Sequence, residues 1–365
     1  MHIVAVGAGL SIIVVVLSDA FATIVLPRRV NRRFSPSRVV LLIGWRCWTA
    51  LARHLPGGDG REGVGRQSDF LSIFGPLALL GLVGLWATGL VLGFALLLWG
   101  IQGPIAGTAS GQDFGTLVYL SGTTFFTVGF GDIVPTGDLA RLLVLGEAFM
   151  GLVTMALVIG YLPTLYGAYS RREVQLLALD DLSDEAVTPV GFLEACHAGG
   201  GAEAVAAAFA DWERWCDEVY DSHTAYPMLA LFRSRQPGQH WLTGLVVVMD
   251  AAAICVATVE GSRAGPAARL LRRGTRLVQN LEAAPGNGLE DAELAGSFGD
   301  EGRFRAGYQR LAALGLPLFP YEQAWGDLRR LRAGFVPQLV GATRLLLVPL
   351  EFRHHSARLD ITRSG

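Results

Sequence analysis

Three stretches of the chain stay apolar with almost no interruption: Ile3 to Leu26, Phe70 to Trp99 and Leu139 to Tyr169. A helix needs about 20 residues to cross a hydrocarbon core. Each stretch supplies them, so three membrane-spanning helices are predicted. The first carries only Ser11, Ser18, Asp19 and Thr23 as polar side chains, and the second ends on Trp99, as interfacial belts often do. A Gly/Pro-rich stretch, Gly100 to Gly111, then leads to a shorter apolar run of 13 residues, Phe114 to Phe126. At 1.5 Å per residue it reaches only about 20 Å. That is too short to cross and too apolar for water, so a helix that enters the membrane and turns back is predicted, with Asp113 as its N-cap.

Around these spans the pattern is different. Between the first two, Val39-Val40-Leu41-Leu42, Trp45, Trp48, Leu51 and Leu55 alternate with arginines at near-helical spacing. This amphipathic helix either lies on the inner leaflet or packs on the protein's own cytoplasmic part. From Arg171 onward the chain reads as helices over Ala202 to Tyr220, Trp241 to Val259, Ala267 to Ala284, Arg303 to Leu314, Tyr321 to Gly334 and Pro337 to Phe352. Breaks at Pro237-Gly238, Gly261 to Pro266 and Pro285-Gly286 bound these units. Alternating Val/Ile strand runs are essentially absent, so the fold class is all-α. Gly244 to Val259 is apolar enough to suggest a fourth span, but its 16 residues include Asp250, and a buried core helix is expected. The domains are therefore 1–69, 70–170 and 171–365.

Composition sharpens this picture. Of 365 residues, 51% are hydrophobic and 17% charged, against about 25% charged in soluble domains. All 30 basic residues are arginine. Residues 1–170 hold 10 arginines and 8 acids, and residues 171–365 hold 20 and 24. Neither half has the clear basic excess of a nucleic-acid binder. Arg28, Arg29, Arg32, Arg33, Arg38, Arg46, Arg53, Arg61 and Arg66 follow the first span, and Arg171 and Arg172 follow the third, while the connection between the second and third has no basic residue before Arg141. Positive charge stays in the cytoplasm, so the N-terminus and residues 100–138 are expected outside, and residues 27–69 and everything after Tyr169 inside. Ala20-Phe21-Ala22 resembles a cleavage site, but the charge polarity is the reverse of a secretory signal. Cys47, Cys196, Cys216 and Cys255 all fall on the reducing side and form no CxxC pair, which supports neither a disulfide framework nor a zinc site.

The turn after the re-entrant helix reads Thr127-Val128-Gly129-Phe130-Gly131-Asp132. Rings of main-chain carbonyls can replace the hydration shell of a potassium ion. Aligning those carbonyls needs alternating dihedrals that L-residues resist and that Gly129 and Gly131 accept. Thr127 adds a hydroxyl, Val128 and Phe130 are expected to point away and pack the strand from behind, and the negative end of the short helix favours a cation.

On these residues the chain resembles the pore domain of potassium channels over residues 71–170. Arg141 sits where many bacterial members carry an arginine, and Gly151, 22 residues beyond Gly129, where the family places a hinge glycine. The resemblance implies a homotetramer in a bacterial plasma membrane that binds K+ at Thr127, Val128, Gly129 and Phe130, with K+ as permeant ion and no cofactor. Two departures stand out. Phe130 replaces the commoner tyrosine, which predicts a less tightly braced filter, and Thr123 replaces a glutamate that pairs in some members with the aspartate equivalent to Asp132.

Several residues on the other helices invite a role. Leu152, Met155 and Ile159 are expected to line the cavity below the filter. Gly151 is a hinge or a point of close helix approach, and Pro163 should kink the inner helix. Glu147 is a gating or ion-attracting carboxylate, or it bonds to hydroxyls of the short re-entrant helix such as Thr123 or Thr124, and Asp19 pairs with an inner-loop arginine or with a polar group on a neighbouring helix. No span carries a voltage sensor's arginine ladder. The cytoplasmic domain lacks GxGxxG, and is similar in Ser222-His223, Tyr226-Pro227 and Phe232-Arg233-Ser234 to helical tails of uncharacterised bacterial ion-channel proteins. His223, Arg233 and Arg235 suit either an anion or small-molecule regulator or internal salt bridges, and His354-His355 reads as solvated. No nucleophile–base or metal-ligand constellation suggests an enzyme. The sequence thus points to a potassium-selective channel, with a weakly selective cation channel or a membrane-anchored sensor with a vestigial pore as alternatives.

Overall fold

The computed structural model describes residues 2–24, 35–54, 69–107, 113–182, 187–234, 240–282 and 298–345. The chain divides into two compact units, Met1–Ala168 with Thr224–Phe232, and Tyr169–His223 with Arg233–Gly365. Leu26, Arg28, Arg29, Arg32, Arg33, Leu55, Arg61, Arg66, Gly111, Arg235, Pro237-Gly238, Ala284, Pro285-Gly286, Phe352 and His354-His355 lie outside the described residues.

The first unit is built from α1 (His2–Ile24), α2 (Pro36–His54), α3 (Phe74–Ile101), β1 (Ile105–Ala106), α4 (Phe114–Phe125), β2 (Val134–Pro135) and the first part of α5 (Asp138–Asp180). Helices α1, α3 and α5 are long and apolar enough to cross a membrane. Helix α1 lies along α3 through small residues. A Cβ on Gly9 would sit 2.6 Å from the Gly93 carbonyl oxygen, which is the close approach that membrane helices use in place of a hydrophobic drive. Asp19 is buried at the foot of α1. It accepts hydrogen bonds from Ser35 Oγ (2.6 Å), Ser37 N (3.2 Å), the Ser37 hydroxyl and Trp86 Nε1 (3.0 Å). Its described partners are therefore hydroxyls, an amide and an indole rather than an arginine. Helix α2 docks at the start of α3, where Trp48 stacks on Phe70 at 4.4 Å and Trp45 meets Phe74 edge-on at 5.0 Å.

The second unit takes the end of α5 and then α6 (Pro189–Ala198), most of α7 (Gly201–Ala225), α8 (Trp241–Thr258), α9 (Pro266–Glu282), α10 (Glu301–Ala313), α11 (Tyr321–Ala333) and α12 (Val336–Leu345). Helix α8 is its core, packed by α6, α9 and α11. Its one acid, Asp250, is held bidentately by Arg332 at 2.7 and 2.8 Å, so a buried charge is matched rather than stranded. Helix α6 falls between the expected helices. Thr188 caps it by accepting from Gly191 N at 3.0 Å, and Pro189 occupies the first turn. Helix α5 also runs beyond Tyr169 to Asp180, because Arg172 and Glu173 there are buried rather than solvated. The boundary between units falls at Ala168, and Thr224–Phe232, read from the sequence as part of the cytoplasmic domain, groups with the first unit. With only one two-stranded ribbon among the described residues, the chain is an all-α membrane protein.

Candidate functional site

Helix α4 starts where Asp113 accepts from Thr116 N at 2.6 Å and stops at Phe125. The chain then reverses onto the helix end. Thr127 N donates to Thr124 O (3.0 Å), and Val128 N and Gly129 N both donate to Thr123 O (2.8 and 3.2 Å). The first amides of the segment are thus spent on carbonyls that a helix end would otherwise leave unpaired. Backbone φ is +56° at Thr127, +56° at Gly129 and +74° at Gly131. Every second residue is left-handed, which is the alternation that turns successive carbonyls to one side. A Cβ at Gly129 or Gly131 would touch nothing within 4 Å, so the glycines answer a dihedral need and not a spatial one. Thr127 adopts the same conformation with a side chain, and no residue-type signal marked it.

The segment is braced from behind. Tyr119 on α4 donates from its hydroxyl to Asp132 Oδ2 at 3.0 Å, and its ring stacks on Phe130 with a 6.5 Å centroid separation. Asp132 thus takes a phenolic hydrogen bond from α4 itself, in the place where no carboxylate of that helix is present to pair with it. Beyond the segment, β1 pairs with β2 in the register Ile105↔Pro135 and Ala106↔Val134, and Thr136 donates twice to Pro104 O at 2.9 Å. Arg141 Nε donates to Pro135 O at 3.2 Å.

Glu147 is fully buried and bonds to the Ser121 hydroxyl, not to Thr123 or Thr124. Thr123 donates instead to its own helix at Leu120 O (3.0 Å). Ser121 also lies 2.8 Å from Val91 O. A hydroxyl has one proton and a carbonyl only accepts. The three groups therefore form a complete chain, Glu147 to Ser121 to Val91, when the carboxyl keeps its own proton, and that chain links α5, α4 and α3. One turn on, a Cβ on Gly151 would run into the Phe125 carbonyl oxygen, so Gly151 is where α5 passes against the end of α4. The helix continues through both Gly151 and Pro163. Leu152, Met155 and Ile159 are 62%, 52% and 64% exposed on the single chain, and Val128 and Phe130 are exposed too.

Within the first unit, Thr224–Phe232 crosses the ends of two helices. Phe232 meets Tyr166 of α5 edge-on at 6.0 Å and fills the space a Cβ on Gly75 of α3 would need. Tyr226 meets Tyr161 at 5.5 Å, while Met228 and Leu229 are buried. Both flanks of this strap are held in the second unit. Arg172 Nη1 lies 3.3 Å from His223 Nε2, and the Tyr169 hydroxyl donates to Arg233 O at 3.1 Å. The His223 ring and the Arg233 carbonyl are thus buried fastenings. Burial pushes the Arg233 guanidinium down to about 10. Burial, followed by the charges of Arg233 and Arg172 and the nearby His223, holds His240 well below its ordinary value.

Residues 82–166, which span these elements, match the ion channel family. Over 114 residues the chain is 28% identical to an uncharacterized membrane protein, YdjJ, of Bacillus subtilis (strain 168). That alignment covers 31% of this chain and 33% of the relative, so the chain spans about a third of the length of the curated protein it matches. No solved structure matches.

Proposed function

We propose that four copies of this chain surround one potassium-selective pore and conduct K+ passively across a bacterial plasma membrane. The observation that carries this reading is the left-handed backbone at Thr127, Gly129 and Gly131, with the amides of Thr127, Val128 and Gly129 tied to the end of α4. It frees a column of carbonyls, with the Thr127 hydroxyl, to stand in for water around a dehydrated monovalent cation. One chain supplies one side of such a cage. The exposed apolar stripe of α5, including Leu142, Leu145, Phe149, Leu152 and Ile159, supports further copies around it. The negative end of α4 faces the position below the filter and favours positive charge there. Arginine placement supports an external N-terminus and a cytoplasmic second unit.

Purified protein in liposomes should pass K+ at least about a hundredfold faster than Na+, and Gly129→Ala should bring flux to background while leaving assembly intact, since a Cβ costs most where φ is positive. Equal K+ and Na+ flux, or a monomeric or dimeric particle, would overturn the proposal. The second unit acts on the pore through the strap at Thr224–Phe232. An edge-on aromatic pair is worth about 0.5–1.5 kcal/mol, up to about tenfold in a two-state gate. Phe232→Ala should therefore change K+ flux by up to about tenfold with the K+/Na+ ratio unaltered, and a changed ratio would assign Phe232 to the filter instead.

A further inference from the structure

Helix α9 buries one face through Leu270, Leu271, Leu277 and Val278, and turns Arg269, Arg272, Arg273 and Arg276 the other way. These four stand three and four residues apart, the spacing at which like charges on a helix repel. Arg269 and Arg273 pair with acids of α7, whereas Arg272 and Arg276 have no ion pair among the described residues to explain them. With Glu213 of α7 they line a hollow of about 280 Å³ in the second unit. Glu213 accepts from Arg269 Nε at 2.9 Å, and its other oxygen lies 3.9 Å from Arg273 Nε. Arg273 Nη1 donates to Asp217 at 3.1 Å, and Arg276 lies over the Tyr220 ring at 4.7 Å. Arg272 has no polar partner among the described residues. The carboxylates thus hold Arg269 and Arg273, and the lining of the hollow sets four cations against a single carboxylate, Glu213.

We infer that this hollow binds a phosphoryl-bearing anion. A guanidinium offers parallel N–H groups at the spacing of phosphate oxygens, and several of them around one cavity match a group with two or more negative charges better than a single carboxylate. Arg269 and Arg273, held by Glu213, are positioned before the ligand arrives. Arg272 and Arg276 are left to close on it. The source of the phosphoryl group is either a free small molecule or a lipid headgroup, and the two are separable by experiment. Binding is read without ion flux, so its failure is distinct from failure of the conduction proposal.

The probe is pyrophosphate, titrated calorimetrically into the full-length protein at fixed ionic strength. One saturable site per chain is expected. Charge-assisted bonds of this kind make the loss at least about tenfold in Arg272→Gln and in Arg276→Gln. Arg214→Gln removes the same charge from a 70% exposed position on α7 outside the hollow, and should bind like the parent. Each variant's melting temperature checks its fold. A parallel titration uses nanodiscs with and without phosphatidic acid. Pyrophosphate binding lost in Arg272→Gln supports the site with a free ligand. Binding only in phosphatidic acid discs, again lost in Arg272→Gln, supports it with a lipid headgroup. Absence of saturable binding in both arms, or equal weakening by Arg214→Gln, overturns it.

Discussion

Helices α5 and α8 look alike as strings of residues, and both are apolar enough to cross a membrane. Their surroundings differ completely. Only 11% of the most apolar stretch of α5 is buried within the chain, against 94% for α8. Helix α8 spends its apolar surface on α6, α9 and α11, and matches its single charge with Arg332. Helix α5 leaves Leu142, Leu145, Leu152 and Ile159 uncovered. The same composition therefore serves as core in one place and as surface awaiting lipid or further copies in the other. Neighbours, not hydropathy, decide which.

The contrast can be broken most severely at Asp250. Removing one partner of a buried ion pair costs about 3–5 kcal/mol, so Asp250→Ala should lower the unfolding temperature of the second unit most of all. A shift of a degree or less would mean that α8 is not a closed core. Truncating the two helices alike sharpens the comparison. Leu245→Ala, at a fully buried site, should cost about 2–5 kcal/mol in denaturant unfolding, whereas Leu152→Ala, 62% exposed on the chain, should cost under about 1 kcal/mol in the same assay. Equal losses would erase the distinction. The smallest effect concerns the cap of α8, where His240 Nδ1 accepts from Leu242 N at 3.1 Å. His240 is packed near Arg172, Arg233 and His223, with Glu173 on Arg172. Its folded pKa is depressed below the ordinary 6.5. Its contribution is therefore complete above about pH 6.5 and is lost on acidification, by at most about 1.4 kcal/mol per pH unit for one proton. Asn also caps helices well, so His240→Asn should keep the cap and flatten the acid limb of the melting curve. An unchanged limb would place the titration elsewhere.

Much of this was legible because chain chemistry is local where it matters. Asp113 capped the helix it was expected to cap, Gly129 and Gly131 took the positive dihedrals their lack of Cβ allows, and Asp250 marked α8 as core. Other features depend on what folding brings together. Thr127 is left-handed because the amides after it bond back to Thr123, which no property of threonine announces. Ser121 rather than Thr123 meets Glu147 because it lies on the face of α4 turned to both α3 and α5. The Tyr119–Asp132 bond spans 13 residues and a reversal of the chain. The Thr188-Pro189 start of α6 was a signal available in the sequence, hidden by the shortness of the helix it opens.

The carboxylate at the foot of α1 has a bearing on how the molecule is made. Its hydroxyl and amide partners come 16 and 18 residues later, and the indole that completes the set comes 67 residues later. During synthesis the acid can have at most its Ser35 and Ser37 partners until the third helix has emerged and laid Trp86 beside it. The polar set around this carboxylate is therefore completed in chain order, with the indole of the later helix arriving last.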